Sequence, residues 1–537
     1  MQGKKPYTEK LFNHFQLSER VPEENFYRRL KEQISFQFLY NATKKYYGRE
    51  GQKSIDPAVF FKLILAGYLE NLNSDRQIIE HARLRLDILY FIGYDIDEEL
   101  PWHSTLSRTR QLMGEEIFLQ LFREVLKLCI DKGMVSGRRQ ALDSAYIKAN
   151  ASLSSLQEKE VLREVEAAVM DDAKTFSEQL TLNEEPSEKK TVSYLRKKKV
   201  EQHHKWKQEK YKDQHKMSKA VMESEDDSRP KFLSNHTHYS TTDADARISV
   251  KPGKPRQLNY TAQVAVDTAH HVITHLQADY SDKRDSQSLQ QVVKQTKNNL
   301  HKNGLQLEEL LADSGYSSGT ALQYLEEQNI TAYIPNFGLY KPTREGFIYN
   351  KEKDQYECQR GNKAILPYKK TDIDALGFKK KSYRSSSKDC MSCPLKKECI
   401  GEKSVCKKID DSIHKQYYDR MHARMQTRYA KRMMRLRSST VEPVLGTLIN
   451  FTGMRRIYTR GIKQANKFMI AAAIAYNLKK YLKFKPKTRG TIAIALSTPV
   501  EKIKNHLEGC LLLLLFILRH FINHPDRKKS PRFHATP

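Results

Sequence analysis

"LQLEELLADSGYSSGTALQYLEEQNITAYIPN", residues 305–336, decides how the chain is read. It runs apolar strand, glycine-containing turn, helix, strand, and that alternation belongs to an α/β sheet. In an open α/β sheet the strand ends facing the loops are where sites form. Asp313 stands at such an end, after the apolar strand and just before the Gly315 turn. A carboxylate there can share a metal with a carboxylate from a neighbouring strand.

Upstream, "ARISVK", "LNYTAQVAVDTA" and "HVITHLQADYS" carry strand signals, and the short Asp267-Thr268-Ala269 connection predicts a hairpin. "DKRDSQSLQQVVKQTKNNLHKNG" reads as a helix. "RRQALDSAYIKANAS" (138–152) adds a short strand around Leu142, with Asp143 at its end. Residues 153–235 are dominated by Glu, Lys, Gln and Ser and are too poor in apolar residues for a core of their own. The expected organisation is an α/β domain from 136–152 and 236–340, split by a charged insertion (153–235) that is part helical and part disordered. Residues 1–135 read as a helical domain. Asp56 is placed as an N-cap before Pro57, and Phe60, Leu63, Ile64 and Tyr68 recur at helical spacing. A second helix starts at Ser74, and a third runs from about Ser104 to Gly133. Residues 341–412 form a second insertion rich in Lys, Tyr and Cys. Residues 413–485 are helical again, and 486–537 hold an apolar helix and a basic tail.

The 537 residues include 93 Lys and Arg against 64 Asp and Glu, a net charge of +29. Such a surface attracts polyanions, and the basic runs are interleaved with aromatics that can stack on bases, so nucleic acid is the expected partner. "MQGKKPYTEKLFNHF" lacks the features of a signal peptide. The longest apolar run, "CLLLLLFIL" (510–518), is about half of what spans a bilayer. The expectation is a cytosolic protein with no membrane association, whose seven cysteines are free or metal-bound.

Each acid of interest also has a purely structural reading. Asp143 can initiate a turn, and Asp313 can form an Asx-turn or cap a helix beginning near Ser317 or Ser318. Glu442 raises a sharper question. From Arg420 to Val500 the chain carries 18 Lys and Arg and one acid, Glu442. Ser439-x-x-Glu442 is a capping-box pattern and Pro443 fits a first helical turn. That accounts for one acid, not for the exclusion of all others. A segment facing DNA excludes acids because they repel phosphates, and an acid kept there needs a compensating cation. Mg²⁺ supplies it, with carboxylates and phosphate oxygens as its ligands. Asp143, Asp313 and Glu442 then form one constellation, suited to a pair of metals about 3.5–4 Å apart and in-line displacement at phosphorus.

In this order, "DPAVFFKLILAGYL", "LDSAYIKANAS", "TTDADARISVK…LNYTAQVAVD", "LADSGYSSG" and "RSSTVEPVLGTL…GMRRIYTRGI…AAAIAYNLKK" resemble the DDE transposases of bacterial insertion sequences. The likeness is to the branch with a helical N-terminal domain and an inserted cysteine cluster, and it spans about residues 15 to 480. It implies an α/β fold with an RNase H-like mixed sheet flanked by helices, an all-α N-terminal domain and two insertions. It implies Mg²⁺ (or Mn²⁺) dependence, cutting of double-stranded DNA at the element's terminal inverted repeats, and joining of the 3′-OH to target DNA. The family's triad maps onto Asp143, Asp313 and Glu442 as catalytic metal ligands. The N-terminal helices become the reader of the repeat ends, with Arg83, Arg85, Arg108 and Arg110 as candidate phosphate contacts. Synapsis of two ends implies a homodimer on DNA, in the bacterial cytoplasm at the nucleoid. Arg435, Arg437, Arg455, Arg456 and Lys463 are the expected phosphate contacts near the triad. One position departs from the family: where a Lys is often found seven residues after the Glu, this chain has Ile449.

"KDCMSCPLKKECIGEKSVC" gives Cys390-x2-Cys393-x5-Cys399-x6-Cys406, with Cys358 upstream. The pattern reads as a Zn²⁺ site or as buried free thiols. The family's pattern favours Cys358, Cys390, Cys393 and Cys399, with Cys406 the alternative. Cys129 and Cys510 read as core residues, and the histidines of "EQHHKW" and "SNHTHYS" as solvated loop residues. Two rival functions remain: a metal-dependent endonuclease without strand transfer, using the same triad, and a non-catalytic, transposase-derived DNA-binding protein.

Overall fold

The computed structural model describes residues 16–48, 50, 54–158, 235, 238–250, 255–338, 340–373 and 379–485. Most of the charged insertion expected at 153–235, with the "EQHHKW" histidines, lies outside them. So do the helix and tail expected at 486–537, with Cys510.

Among the described residues, eight α-helices precede the first strand: α1 (Leu17–Arg20), α2 (Phe26–Gln33), α3 (Phe38–Thr43), α4 (Pro57–Leu69), α5 (Asp75–Arg83), α6 (Leu86–Ile92), α7 (His103–Leu112) and α8 (Glu115–Asp131). Helix α4 begins where the sequence places it. Asp56 Oδ1 accepts from the Ala58 and Val59 amides at 2.7 and 3.2 Å, satisfying two of the first-turn donors. Two expected long helices are broken. After α5 the chain turns at Leu84–Arg85, where Arg85 donates twice to Asp87, each bond 2.9 Å. The helix expected to end at Gly133 is interrupted at Met113–Gly114. Met113 is fully buried in extended backbone, and Gly114, a poor helix former, becomes the N-cap of α8.

The sheet follows. Its strands are β1 (Arg139–Lys148), β4 (Arg247–Ser249), β5 (Gln257–Asp267), β6 (Ile273–Tyr280), β7 (Glu309–Leu311) and β8 (Thr331–Tyr333). A separate antiparallel pair, β2 (Leu156–Glu158) and β3 (His238–Ser240), lies beside it in sequence. His238 is therefore a buried strand residue, not the solvated loop histidine expected. Helix α9 (Asp285–His301) follows β6, and α10 (Gly319–Glu327) links β7 to β8. The order is β6-β5-β1-β7-β8, with β4 on the same edge of β5 as β6. β5 runs antiparallel to β1 and β6, while β7 runs parallel to β1 and β8. This is the mixed α/β sheet expected. The β5–β6 hairpin is present, with His271 in the left-handed region at φ 58°.

Two buried polar side chains fix the sheet. Asp267 accepts from the Gly137 and Ala269 amides, both at 2.9 Å, and from Gln140 Nε2 at 2.8 Å, so the hairpin holds the start of β1. At the far edge, helix α15 (Ile462–Lys483) covers β6. Asn477 donates to the Ile273 carbonyl (2.8 Å) and accepts from its amide (2.9 Å), acting as one more strand residue on an otherwise open edge.

Residues 347–412 carry a second, antiparallel sheet: β9 (Phe347–Asn350), β10 (Gln355–Cys358), β11 (Ile365–Ile373), β12 (Lys379–Arg384) and β13 (Lys408–Ser412), with short helices α11 (Ser387–Met391) and α12 (Lys396–Cys399) before β13. Its small core contains Tyr356, Leu366, Tyr383, Cys390 and Ile409. Helices α13 (Lys415–Met425) and α14 (Arg428–Phe451) lead back across the first sheet.

His275 on β6 is fully enclosed, with Nε2 3.1 Å from Gln277 Oε1. Burial pulls its pKa from the ordinary 6.5 to about 4. Between those values the unfolded chain binds a proton that the folded chain refuses. This contribution to stability is therefore complete above pH 6.5 and is lost as pH falls toward 4. Chemical denaturation at pH 7 and pH 5 is expected to show His275→Gln losing about 2 kcal/mol less than the parent over that interval.

Candidate active site

Asp143 lies in the middle of β1, opposite Val264 of β5, and not at the strand end expected. The parallel neighbour explains the difference. β1 pairs with β7 only from Arg139 to Ala141, whereas it follows β5 as far as Lys148. Ala141 is level with Leu311, the last residue of β7. Two residues on from that pair come Asp143 and Asp313. Both carboxylates therefore stand just past the point where the parallel pairing stops.

Asp313 forms the Asx-turn that its sequence allowed. Its Oδ1 accepts from the Gly315 amide at 3.0 Å and opens a short 3₁₀ turn, Ser314–Tyr316. The next helix, α10, is capped separately by Ser318, which accepts from Ala321 N at 3.2 Å. Glu442 is not in a capping box. Helix α14 starts much earlier, at Thr427, whose Oγ1 accepts from Ala430 N at 3.1 Å. Glu442 is thus mid-helix with Pro443 directly after it, and Ser439 Oγ bonds to the Leu436 carbonyl instead (3.1 Å).

Arg437, on the same helix, joins the acids. Its Nη1 donates to Asp143 Oδ2 at 3.0 Å, and its Nη2 is 3.9 Å from Glu442 Oε1. The Arg437 and Asp143 side chains are 11% and 16% exposed, whereas Glu442 is 60% exposed. Burial pushes the Asp143 carboxyl above the ordinary aspartate range, and the Asp313 charge adds to that; Arg437 and the Ser144 amide oppose it. Tyr316, fully buried beneath these groups, has its hydroxyl pushed far up by burial and by the charges of Asp285, Asp143 and Asp313. It donates to Gln263 Oε1 at 2.5 Å, and Gln263 Nε2 donates to Asp285 Oδ1 at 2.7 Å. A Cβ on Gly315 would stand 3.1 Å from both Asp285 Oδ2 and Asp313 Oδ1, so only a bare backbone fits easily between them. Sequence reasoning missed this support of Asp285, Gln263 and Tyr316; the one signal was the aromatic residue directly after the Asp313 glycine turn.

Among the described residues, no group of three or more His, Cys, Asp or Glu side chains is gathered closely enough to hold a metal ion. At the acids, Arg437 stands between Asp143 and Glu442. Carboxylates such as these are the hard-oxygen ligands that Mg²⁺ takes. The other expected cations divide. Arg435, Arg455 and Lys463 are exposed, while Arg456 donates to Asn150 Oδ1 at 3.2 Å. In the N-terminal helices Arg83 and Arg108 are exposed. Arg85 is paired with Asp87, and Arg110 is buried against Asp75, Nη1 donating at 2.8 Å. Cys358, Cys390, Cys393 and Cys399 line one cavity of about 30 Å³; Cys406 is not among its lining residues.

Two family models match the sequence: the transposase domain DUF772 over residues 15–112 and the transposase DDE domain over residues 357–482. Both matches are to transposase models, and together they support a DDE transposase of an insertion element. The first match covers α1 to α7 of the chain, and the second runs from β10 to the last turn of α15, including Glu442; Asp143 and Asp313 fall between them. A solved structure titled "Mos1 transposase paired-end complex with left transposon end" is similar at 10% identity over 57% of this chain and 70% of that one, with a TM-score of 0.15. No curated protein matches. Among the described residues, no helix is long and apolar enough to cross a membrane.

The Arg437–Asp143 pair is expected to behave as a buried ion pair. Arg437→Gln alone should cost about 3 kcal/mol in metal-free urea denaturation, because it strands a shielded carboxylate. Adding Asp143→Asn should recover most of that loss.

Proposed function

We propose that this transposase cuts double-stranded DNA at the terminal inverted repeats of its element and joins the freed 3′-OH to target DNA, with Asp143, Asp313 and Glu442 as the metal-holding catalytic acids. The observation that carries the reading is the register of β1 and β7, which brings two aspartates 170 residues apart in sequence level with each other beneath the helix bearing Glu442. Bound there, Mg²⁺ or Mn²⁺ would activate the attacking oxygen and stabilise the leaving one.

The protein's own part is positioning. The Asx-turn fixes the Asp313 carboxylate, and Arg437 offsets the Asp143 charge. Around Glu442 the helix presents Ser438, Ser439 and Gly446, and nothing lies within 4 Å of where a Gly446 Cβ would be. Small residues there let a DNA backbone approach closely. Arg435, Arg455 and Lys463, exposed on the same part of the chain, are the phosphate contacts, with Arg456 beside them. Where the family often has a Lys two turns beyond Glu442, this chain has Ile449, and Lys463, or Arg455 and Arg456, take over that contact. Residues 1–135 read the repeat ends, two chains act as a homodimer on paired ends, and the site of action is the bacterial nucleoid. Cys358, Cys390, Cys393 and Cys399, which line one small cavity but are not gathered around a point, would draw together to hold a structural Zn²⁺.

The decisive assay offers labelled duplexes with the sequences flanking the gene, a target plasmid and Mg²⁺. Joined products are expected from the parent, and Glu442→Gln should lower both cutting and joining by about 10³-fold or more while leaving DNA binding intact. Cuts without joints would make the protein an endonuclease, and full activity in Glu442→Gln would remove this acid from the mechanism. For the cysteines, about one zinc per chain is expected on denaturing the purified protein with a colorimetric chelator present. Cys393→Ser should lose that zinc, and Cys406→Ser should keep it.

A further inference from the structure

Helix α14, which carries Glu442, is closed at its C-terminus by a side chain from the N-terminal helices. Helices commonly end with the second residue past them in the left-handed region, its amide bonded to the carbonyl three residues back. Helix α4 ends in this way. Asn71 has φ 60°, its amide donates to the Tyr68 carbonyl at 3.3 Å, and the Leu72 amide reaches the Gly67 carbonyl at 2.7 Å. After glycine, Asn is a residue that tolerates this backbone. Helix α14 has the same backbone at its own end, with Gly453 at φ 75°. A Cβ there would run into Asn73 Oδ1, so the close approach of the two segments also requires glycine. In α14 the two groups of the closing bond are joined through Asn71. The Gly453 amide donates to Asn71 Oδ1 at 2.8 Å, and Asn71 Nδ2 donates to the Asn450 carbonyl at 3.2 Å. The carboxamide is inserted into the turn, meeting both the donor and the acceptor that the helix would otherwise join to each other.

We propose that Asn71 is a positioning residue for Glu442, latching the end of its helix to the N-terminal helices. The inference rests on the catalytic role proposed for Glu442. Asn450 is eight residues beyond Glu442, on the order of 12 Å along the helix. Between them stands Pro443, which has no amide to give the Ser439 carbonyl, so α14 has a seam directly after Glu442. On the N-terminal side of the seam, Arg437 ties the helix to Asp143. On the C-terminal side two turns remain, too few to persist by themselves. Val444, Leu445 and Leu448 bury one face of those turns, and Asn71 holds their end. The Glu442 carboxylate is therefore placed from both sides of the seam, and one of those sides is fixed to α4. The N-terminal helices stay docked without the latch: the Tyr68 and Phe468 rings meet edge-on, centroids 5.2 Å apart, and Lys467 donates to the Arg110 and Met113 carbonyls at 2.9 and 2.6 Å. What Asn71 adds is the alignment of the last turns of α14.

Hydrogen–deuterium exchange of the full-length, metal-free protein is compared for the parent, Asn71→Gly and Asn71→Asp. Glycine is the usual residue at this left-handed position, so Asn71→Gly keeps the end of α4 and removes only the carboxamide. Exchange in residues 444–453 is expected to quicken at least about fivefold in Asn71→Gly, while 428–440 stays within about twofold of the parent. Asn71→Asp keeps an acceptor for Gly453 but has no donor for Asn450, and should fall between. Cutting of the labelled flanking-sequence duplex is then measured in single turnover with Mg²⁺, at a duplex concentration saturating for each variant and a temperature at which each is fully folded. The saturated rate of Asn71→Gly is expected to fall about ten- to a hundredfold, the scale set by a displacement of about 1 Å in a catalytic group. Unchanged exchange in 444–453 would overturn the latch. Faster exchange with an undiminished saturated rate would overturn the positioning role and leave the catalytic reading standing. A parent that cuts no duplex would overturn the catalytic reading, and the role at Glu442 with it.

Discussion

A carboxylate set on the central strand of a buried sheet must be neutralised, and how Asp143 is neutralised governs much of the rest. β5 on one side and β7 on the other offer it no cation. The charge has to come from above, and α14 brings Arg437. That requires a helix long enough to reach across β1, β7 and β8, and α14 has 24 residues. Apolar residues of similar size would give comparable stability without the cost of desolvating two charges. Such a pair, with the Asp143 carboxyl still pushed up by burial, marks a candidate functional position.

The same helix carries a second local conflict. Pro443 cannot donate to the Ser439 carbonyl, so the ladder of α14 is interrupted directly beside Glu442. The helix nevertheless continues for eight more residues, because Val444, Leu445 and Leu448 are buried on the sheet. Tertiary packing overrides the local break. Consistency fails here at one point of an otherwise regular element, which is where functional positions are commonly found.

The elements of the first sheet were legible in the sequence because each has a clean local signal: apolar runs, an Asp-Thr-Ala hairpin, a glycine turn before a helix. Asp313 was placed after its apolar strand for the same reason, whereas Asp143, expected at a strand end, lies mid-strand. Three things were hidden. The sequence of "RLRSSTVEP" contains a real capping pattern, and nothing local says that Thr427 starts the helix instead. Arg437 looks like any other arginine in a basic run; only the approach of α14 to β1 makes it the partner of Asp143. The second sheet was missed because it is one-sided and lysine-rich. In β11, "ILPYKKTDI", only Leu366 is fully buried, so the alternation that marks a strand is drowned by charge.

The acids are also far apart in sequence, by 170 and 129 residues, with an insertion in each interval. Such insertions are tolerated when their ends are held together, since the cost of closing a loop grows only slowly with its length. Both ends are held here. The first insertion leaves and returns through the β2–β3 pair, where Leu156 faces Ser240 and Ser155 Oγ lies 2.7 Å from Ser240 Oγ. The second leaves after β8 and returns at α13. There Asn336 donates to the Tyr418 carbonyl at 3.1 Å, Tyr340 donates to Asp419 at 2.6 Å, and Lys415 donates to the Pro342 carbonyl at 2.8 Å. The level placing of Asp143 and Asp313 follows the β1–β7 register.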